Sequence, residues 1–216
     1  RLRINSRRAE LRKNKKVATA RSHYQSGEGE EAIKLITDEK IVQLYWLRTK
    51  IRKLERRLEE ARTALEAKKY NEAQSTWIEV TKAEPDTDNA YHKQAAGGLR
   101  KLRDKAKEII APHYEQLAEE ALLKENFAAA RRHAMDAMRW DPQATIGKSL
   151  LRQLDHLAMV LYKEAVDLRY HSGTTESLRK AVEKFEKVQQ CVQEGNKLHS
   201  RAGRHLAELR DKVPDA

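Results

Sequence analysis

Between Pro112 and Pro142 the chain reads PHYEQLAEEALLKENFAAARRHAMDAMRWDP. Two apolar-striped segments of helical period flank a polar break at Lys124-Glu125-Asn126. Ala118, Ala121, Ala130, Ala134 and Ala137 recur at helical spacing, which puts small side chains where two antiparallel helices must approach closely. Phe127 supplies an aromatic at the turn, and Pro142 stops the second segment because proline offers no N–H to the helical ladder. The stretch predicts a helical hairpin. No stretch alternates with period two between turn signals, so the expected fold is all-α. Charged residues at 36% and aromatics at 6% fit long helices better than sheets.

The rest of the chain reads as variations on this hairpin. Leu47, Ile51, Leu54, Leu58, Ala61 and Leu65 are spaced 4, 3, 4, 3, 4, a heptad seam typical of coiled coils, within a helical run expected from Ile41 to about Lys68. Lys68-Lys69-Tyr70 breaks this run, and a partner helix over 71–83 ends at Glu84-Pro85. Aligning Pro85 with Pro142 matches Ala61 to Ala118, Ala64 to Ala121, Tyr70 to Phe127, Ala73 to Ala130, Trp77 to Ala134 and Val80 to Ala137. In these offsets the chain resembles the tetratricopeptide repeat family, whose helix pairs carry small residues, a turn aromatic and a terminal proline. The pattern departs from the family at Arg57 and Glu60, where large apolar residues are preferred, and in its spacing of 57 residues between prolines against about 34 in the family. The resemblance implies an antiparallel helix-hairpin repeat array, here with unusually long helices. It also implies a groove for a peptide or partner protein, faced by Arg62, Leu65 and Glu66 in one unit and Glu115, Glu119 and Leu122 in the other.

Tyr24-Gln25-Ser26-Gly27 returns as Tyr170-His171-Ser172-Gly173, each time after an apolar-periodic segment, with Gly27 suited to the positive φ that follows a helix. The inserted residues after Pro85 open with the cap candidates Thr87 and Asp88. Leu99, Leu102, Ala106 and Ile110 then run in register into Tyr114 and Leu117, which predicts one long helix kinked at Pro112, with Gly97-Gly98 a second place for a break. Asp141-Pro142 is read as an N-cap followed by proline at the first helical position of the next helix.

The net charge of +11 is concentrated at one end. Arg1, Arg3, Arg7, Arg8, Arg12, Lys13, Lys15, Lys16 and Arg21 are opposed only by Glu10 in residues 1–21, which therefore contribute +8 and leave +3 for the rest. The reading is a basic N-terminal arm or lead-in at 1–21, a helical domain at 22–212 and a tail at 213–216. Within the arm, Arg7, Arg8, Arg12, Lys13, Lys15 and Lys16 are candidates for contact with an anionic membrane surface or with nucleic acid. No run reaches the roughly 18 apolar residues of a membrane span. The sequence starts at Arg1 without an initiator Met, which suggests a region of a larger, membrane-tethered or cytoplasmic component.

Chemistry has little foothold. Cys191 is the only cysteine, so no intrachain disulfide forms, and the expected compartment is reducing, hence cytoplasmic. The eight histidines include no HExxH and no i, i+4 pair, so no metal site is expected. Ile146-Gly147-Lys148-Ser149 echoes the end of a phosphate-binding loop, but Pro142 stands where the first glycine belongs and no strand precedes it. With no catalytic residues and no cofactor expected, the sequence points to a non-enzymatic protein-interaction scaffold. The alternative is a nucleic-acid-binding helical protein using the basic arm. Trp46, Trp77 and Trp140 fall at helical spacing and are expected to pack instead of stacking bases.

Overall fold

A computed structural model describes residues 2–171, 174–210 and 212–213, without the side chains of residues 2–9. Every regular element among the described residues is helical. The chain divides into two compact units, Arg1–Asp104 and Lys105–Ala216.

The first unit holds α1 (Leu2–Ser26), α2 (Gly29–Asp38), α3 (Tyr45–Glu66), α4 (Tyr70–Ala83) and α5 (Ala90–Lys105), with a 3₁₀ turn at Val42–Leu44. Of the basic stretch, residues 2–21 lie in α1, which continues to Ser26 and buries Ala20 and Tyr24. The heptad positions Leu47, Ile51, Leu54, Leu58 and Ala61 form the buried stripe of α3, as their spacing demands. Ion pairs between Lys16 and Glu39, and between Arg57 and Glu79 at 3.2 Å, show that α1/α2 and α3/α4 run antiparallel.

Among the described residues, four helix ends close with one backbone geometry, that of Lys40 after α2 among them, and three of the four share the residues around them as well. Gly27, Lys68 and Glu125 take positive φ of 82°, 57° and 53°, and each next residue lies at φ near −85° with ψ of 65–73°. In each, the paired 6→1 and 5→2 backbone bonds of a Schellman turn close the helix end, as in Lys69 N–H to the Ala64 carbonyl at 2.8 Å and Lys68 N–H to the Leu65 carbonyl at 3.1 Å. Seven residues before the positive-φ residue stand Ala20, Ala61 and Ala118, and five after it Ala32, Ala73 and Ala130, all buried. The second Tyr-x-Ser-Gly cannot be compared, because Ser172 and Gly173 lie outside the described residues.

A buried polar network ties the first unit together. Glu84, just past α4, accepts hydrogen bonds from the Tyr24 hydroxyl and from Lys50 Nζ at 2.6 Å, while His92 Nδ1 lies 2.7 Å from the Glu84 carbonyl oxygen. Tyr91 of α5 donates to Glu55 of α3 at 3.0 Å, and its ring lies 5.7 Å from that of Tyr24. Burial works to raise the Glu84 pKa, but the hydrogen bonds from Lys50 and Tyr24 outweigh it and hold the carboxyl below its usual range. Burial, with carboxylates adjacent, pushes both tyrosines well above theirs. Gly98 of α5 lies against the Trp77 indole, where a Cβ would come within 2.4 Å of the ring.

The second unit begins with a π-helical turn, Ala106–Ile110, followed by α6 (Ala111–Leu123), α7 (Phe127–Trp140), α8 (Thr145–His171), α9 (Thr175–Cys191) and α10 (Lys197–Arg210). The irregularity expected at Pro112 is this widened turn ahead of it: Pro112 has no N–H for the Glu108 carbonyl, and a π turn relieves the crowding of its ring. Lys184 and Glu164, paired at 2.6 Å, mark α8 and α9 as antiparallel. The core is apolar: Leu154, Ala158, Ala165, Ala181, Phe185, Val188 and Cys191 join Leu206 and Leu209 of α10. His205 stacks on Phe185 at 4.7 Å and faces Tyr162 and Arg169. Burial and the adjacent Arg169 charge lower its pKa. Burial pushes the Cys191 thiol up to about 12, which makes it an inert core residue.

Two expected helix starts shift. The cap of α5 is the buried Asn89, whose Oδ1 accepts from Tyr91 N–H at 2.9 Å, and not Thr87 or Asp88. Asp141 makes an Asx turn, accepting from Gln143 N–H at 3.0 Å, and α8 starts only at Thr145.

Candidate partner-binding groove

The six positions implied by the resemblance fall three in each unit, so each trio has its own surroundings. In the first unit, Arg62 is exposed and donates to Gln94 of α5 at 3.1 Å; Leu65 is half-buried and Glu66 exposed at the end of α3. In the second unit, Glu115 is buried and accepts from the Gly147 N–H at 2.9 Å. A carboxylate at this place satisfies an orphan amide of α8 and meets the positive end of its dipole. Glu115 is thus a structural cap. Gly147 itself sits close against α7, where a Cβ would lie 3.2 Å from the Ala134 carbonyl oxygen. The phosphate-loop echo is therefore the first turn of a helix, with its central amide already occupied.

The Glu115 bond draws the start of α8 against α6 and leaves a shallow groove of about 450 Å³ between them. Glu119 and Leu122 of α6 line it, with Leu123, Ile146, Ser149, Leu150 and Gln153. Leu123 is 85% exposed and Ile146 44%. The sequence had named Glu119 and Leu122; Leu123 and Ile146 were missed. Leu123 lies beside the polar break and Ile146 within the discounted tetrapeptide, so neither belonged to a stripe that periodicity could mark. The groove offers aliphatic side chains, one exposed carboxylate and two neutral polar groups. It can bury an apolar anchor and pair with a cation, but holds no nucleophile, acid–base pair or phosphate cradle.

A larger depression of about 670 Å³ opens around Arg131, Met135, Gln189 and His199. Its walls are more polar, and Arg131 is already bonded to Asp155 at 2.9 Å and to the Cys191 carbonyl at 2.7 Å. Of the candidate anionic-surface residues, Arg12, Lys13 and Lys15 are exposed on α1, and Lys16 is half-buried in its pair with Glu39. The side chains of Arg7 and Arg8 lie outside the described residues. Trp77 packs as expected, but Trp46 does not: it is 58% exposed.

Among the described residues no group of three or more His, Cys, Asp or Glu side chains is placed to hold a metal ion, and no helix is long and apolar enough to cross a membrane. No protein-family model, curated protein or solved structure matches the chain.

Proposed function

We propose that the chain is a non-enzymatic interaction scaffold of tetratricopeptide-like helix pairs, which takes a peptide or partner helix into the groove between α6 and α8. The observation that carries the reading is the exposure of Leu123 and Ile146 in the groove that Glu119 and Leu122 also line. An open aliphatic strip with a polar rim is what an amphipathic segment buries on docking. The repeat reading draws support from the three turns with the same backbone geometry and the same buried alanines around them. The occupant is an amphipathic segment with an aliphatic anchor and a Lys or Arg placed to meet Glu119.

Selecting a randomised peptide library on the full chain tests this. Selected peptides carry an aliphatic anchor beside a cation, and Ile146→Glu weakens them by about tenfold or more, as removal of a central anchor contact does. Peptides that bind equally well to Ile146→Glu and Leu122→Glu variants exclude the groove.

A further inference from the structure

We infer a second surface, independent of the groove: the exposed Val42, Tyr45 and Trp46, together with the cations of α1, form a docking site for an anionic lipid membrane surface. The apolar part is unusual in its exposure. Val42 is 70% exposed, Trp46 58% and Tyr45 41%, and they sit together at the 3₁₀ turn and first turn of α3. Arg48 lies over the Tyr45 ring at 5.7 Å, so a cation is built into the apolar group.

Backbone geometry brings the charge of α1 to the same place. Lys50 of α3 lies 5.5 Å over the Tyr24 ring of α1, and eight residues earlier in the chain stand Val42, in the 3₁₀ turn that leads into α3, and Lys16 of α1. Lys16 pairs with Glu39 at the end of α2. At this level α2 ends and α3 begins, and the part of α1 before Lys16 continues past both. Those fourteen helical residues, 2–15, extend about 21 Å at about 1.5 Å per residue. They carry Arg12, Lys13 and Lys15 exposed, and the Lys16–Glu39 pair ties their base to the end of α2, three residues before Val42.

Neither half suffices for stable attachment. Cations near an anionic leaflet attract weakly and are screened within a Debye length, and two rings and a valine bury little area. Membrane association becomes stable where two such signals coincide. Trp and Tyr favour the headgroup level, and Lys and Arg stems reach along it. Nucleic acid explains the surface less well. One face of Tyr45 is already occupied by Arg48, and a base has no use for Val42, the most exposed member.

The test uses the full chain with liposomes of phosphatidylcholine alone or with about 30% phosphatidylserine, the anionic component that attracts polybasic segments. Sedimentation with the mixed liposomes but not the neutral ones is expected, with a blue shift of tryptophan emission that Trp46→Ala abolishes. Trp46→Ala, Val42→Ser and the combined Arg12→Gln, Lys13→Gln and Lys15→Gln variant are each expected to bind about tenfold more weakly, since each removes one of the two required signals. All the substituted side chains are exposed, and far-UV circular dichroism verifies each fold. Failure to sediment overturns the inference. Binding that needs the cations but ignores Trp46 and Val42 overturns it too, leaving a generic polycation. Displacement of liposomes by an RNA oligonucleotide that quenches Trp46 assigns the surface to nucleic acid instead.

Discussion

The two units use the same helix pairing but different cohesion. In the first, Tyr24, Lys50 and Glu84 link α1 and α3 to the end of α4, and Tyr91 and Glu55 link α5 to α3. In the second, Phe185 and its aliphatic neighbours fill the space among α8, α9 and α10. The two candidate surfaces diverge as well: Val42, Tyr45 and Trp46 of the first unit stand exposed with Arg48 over one ring, whereas the α6/α8 groove of the second sets aliphatics beside a carboxylate. Short turns with a positive-φ residue therefore specify a helix pair without specifying what holds one pair to the next. That second choice sets how each unit responds to pH and what its surface can bind.

The largest effect that sharpens the contrast belongs to the apolar unit. Phe185→Ala is expected to cost about 4 kcal/mol in chemical denaturation, because a fully buried ring leaves a cavity; a loss under about 1 kcal/mol breaks the account of this core. Next comes Lys50→Met, expected to cost about 3 kcal/mol near neutral pH by stranding the buried Glu84 carboxylate. The sign of its pH dependence is fixed. Glu84 has a depressed folded pKa, so its contribution to the wild-type chain is present above the ordinary value of 4.5 and is lost as pH falls through the folded value. In the variant, burial no longer meets an opposing cation and favours the neutral acid. The stabilities of variant and wild type are therefore expected to converge on acidification, and a constant gap contradicts the network.

Ala130→Leu is expected to cost about 2 kcal/mol, because Ala130 is 1% exposed at the α7 interface and overpacking forces the helices apart; an unchanged melting temperature shows otherwise. The smallest effect is a gain. Lys68→Gly is expected to stabilise by about 1 kcal/mol, since Lys68 holds a positive φ that glycine adopts without a Cβ clash. Glu125→Gly gains less, because Glu125 also pairs with Lys187 at 2.7 Å. Equal gains at both sites remove that distinction.

Much of this architecture was legible because small residues at helical spacing and polar breaks are local signals. Ala61, Ala118 and the α3 stripe needed no more than the 3.6 period. The copy around Gly27 was harder to see, because Gly29 stands where Tyr70 and Phe127 stand in the other two. There a Cβ would lie 2.4 Å from the Tyr91 hydroxyl and 2.0 Å from Glu55 Oε1, so residues distant in sequence fill the place of the turn aromatic. The cap of α8 escaped for a similar reason, since Glu115 precedes Gly147 by 32 residues. Helical spacing also gave no warning that Trp46 faces outward: it places a residue on a side of the helix without saying whether another element covers that side. Of the groove, Glu119 and Leu122 were legible through the resemblance, whereas Leu123 and Ile146 required the approach of α8 to α6.

The proposed role of that groove is tested most directly by calorimetric titration of one library-selected peptide into the wild-type chain and into Ile146→Glu. Ile146 is exposed enough for a carboxylate to be tolerated. The account predicts an unchanged melting temperature and affinity reduced by about tenfold or more, because the new charge faces the bound anchor. Equal affinity in the two proteins contradicts it.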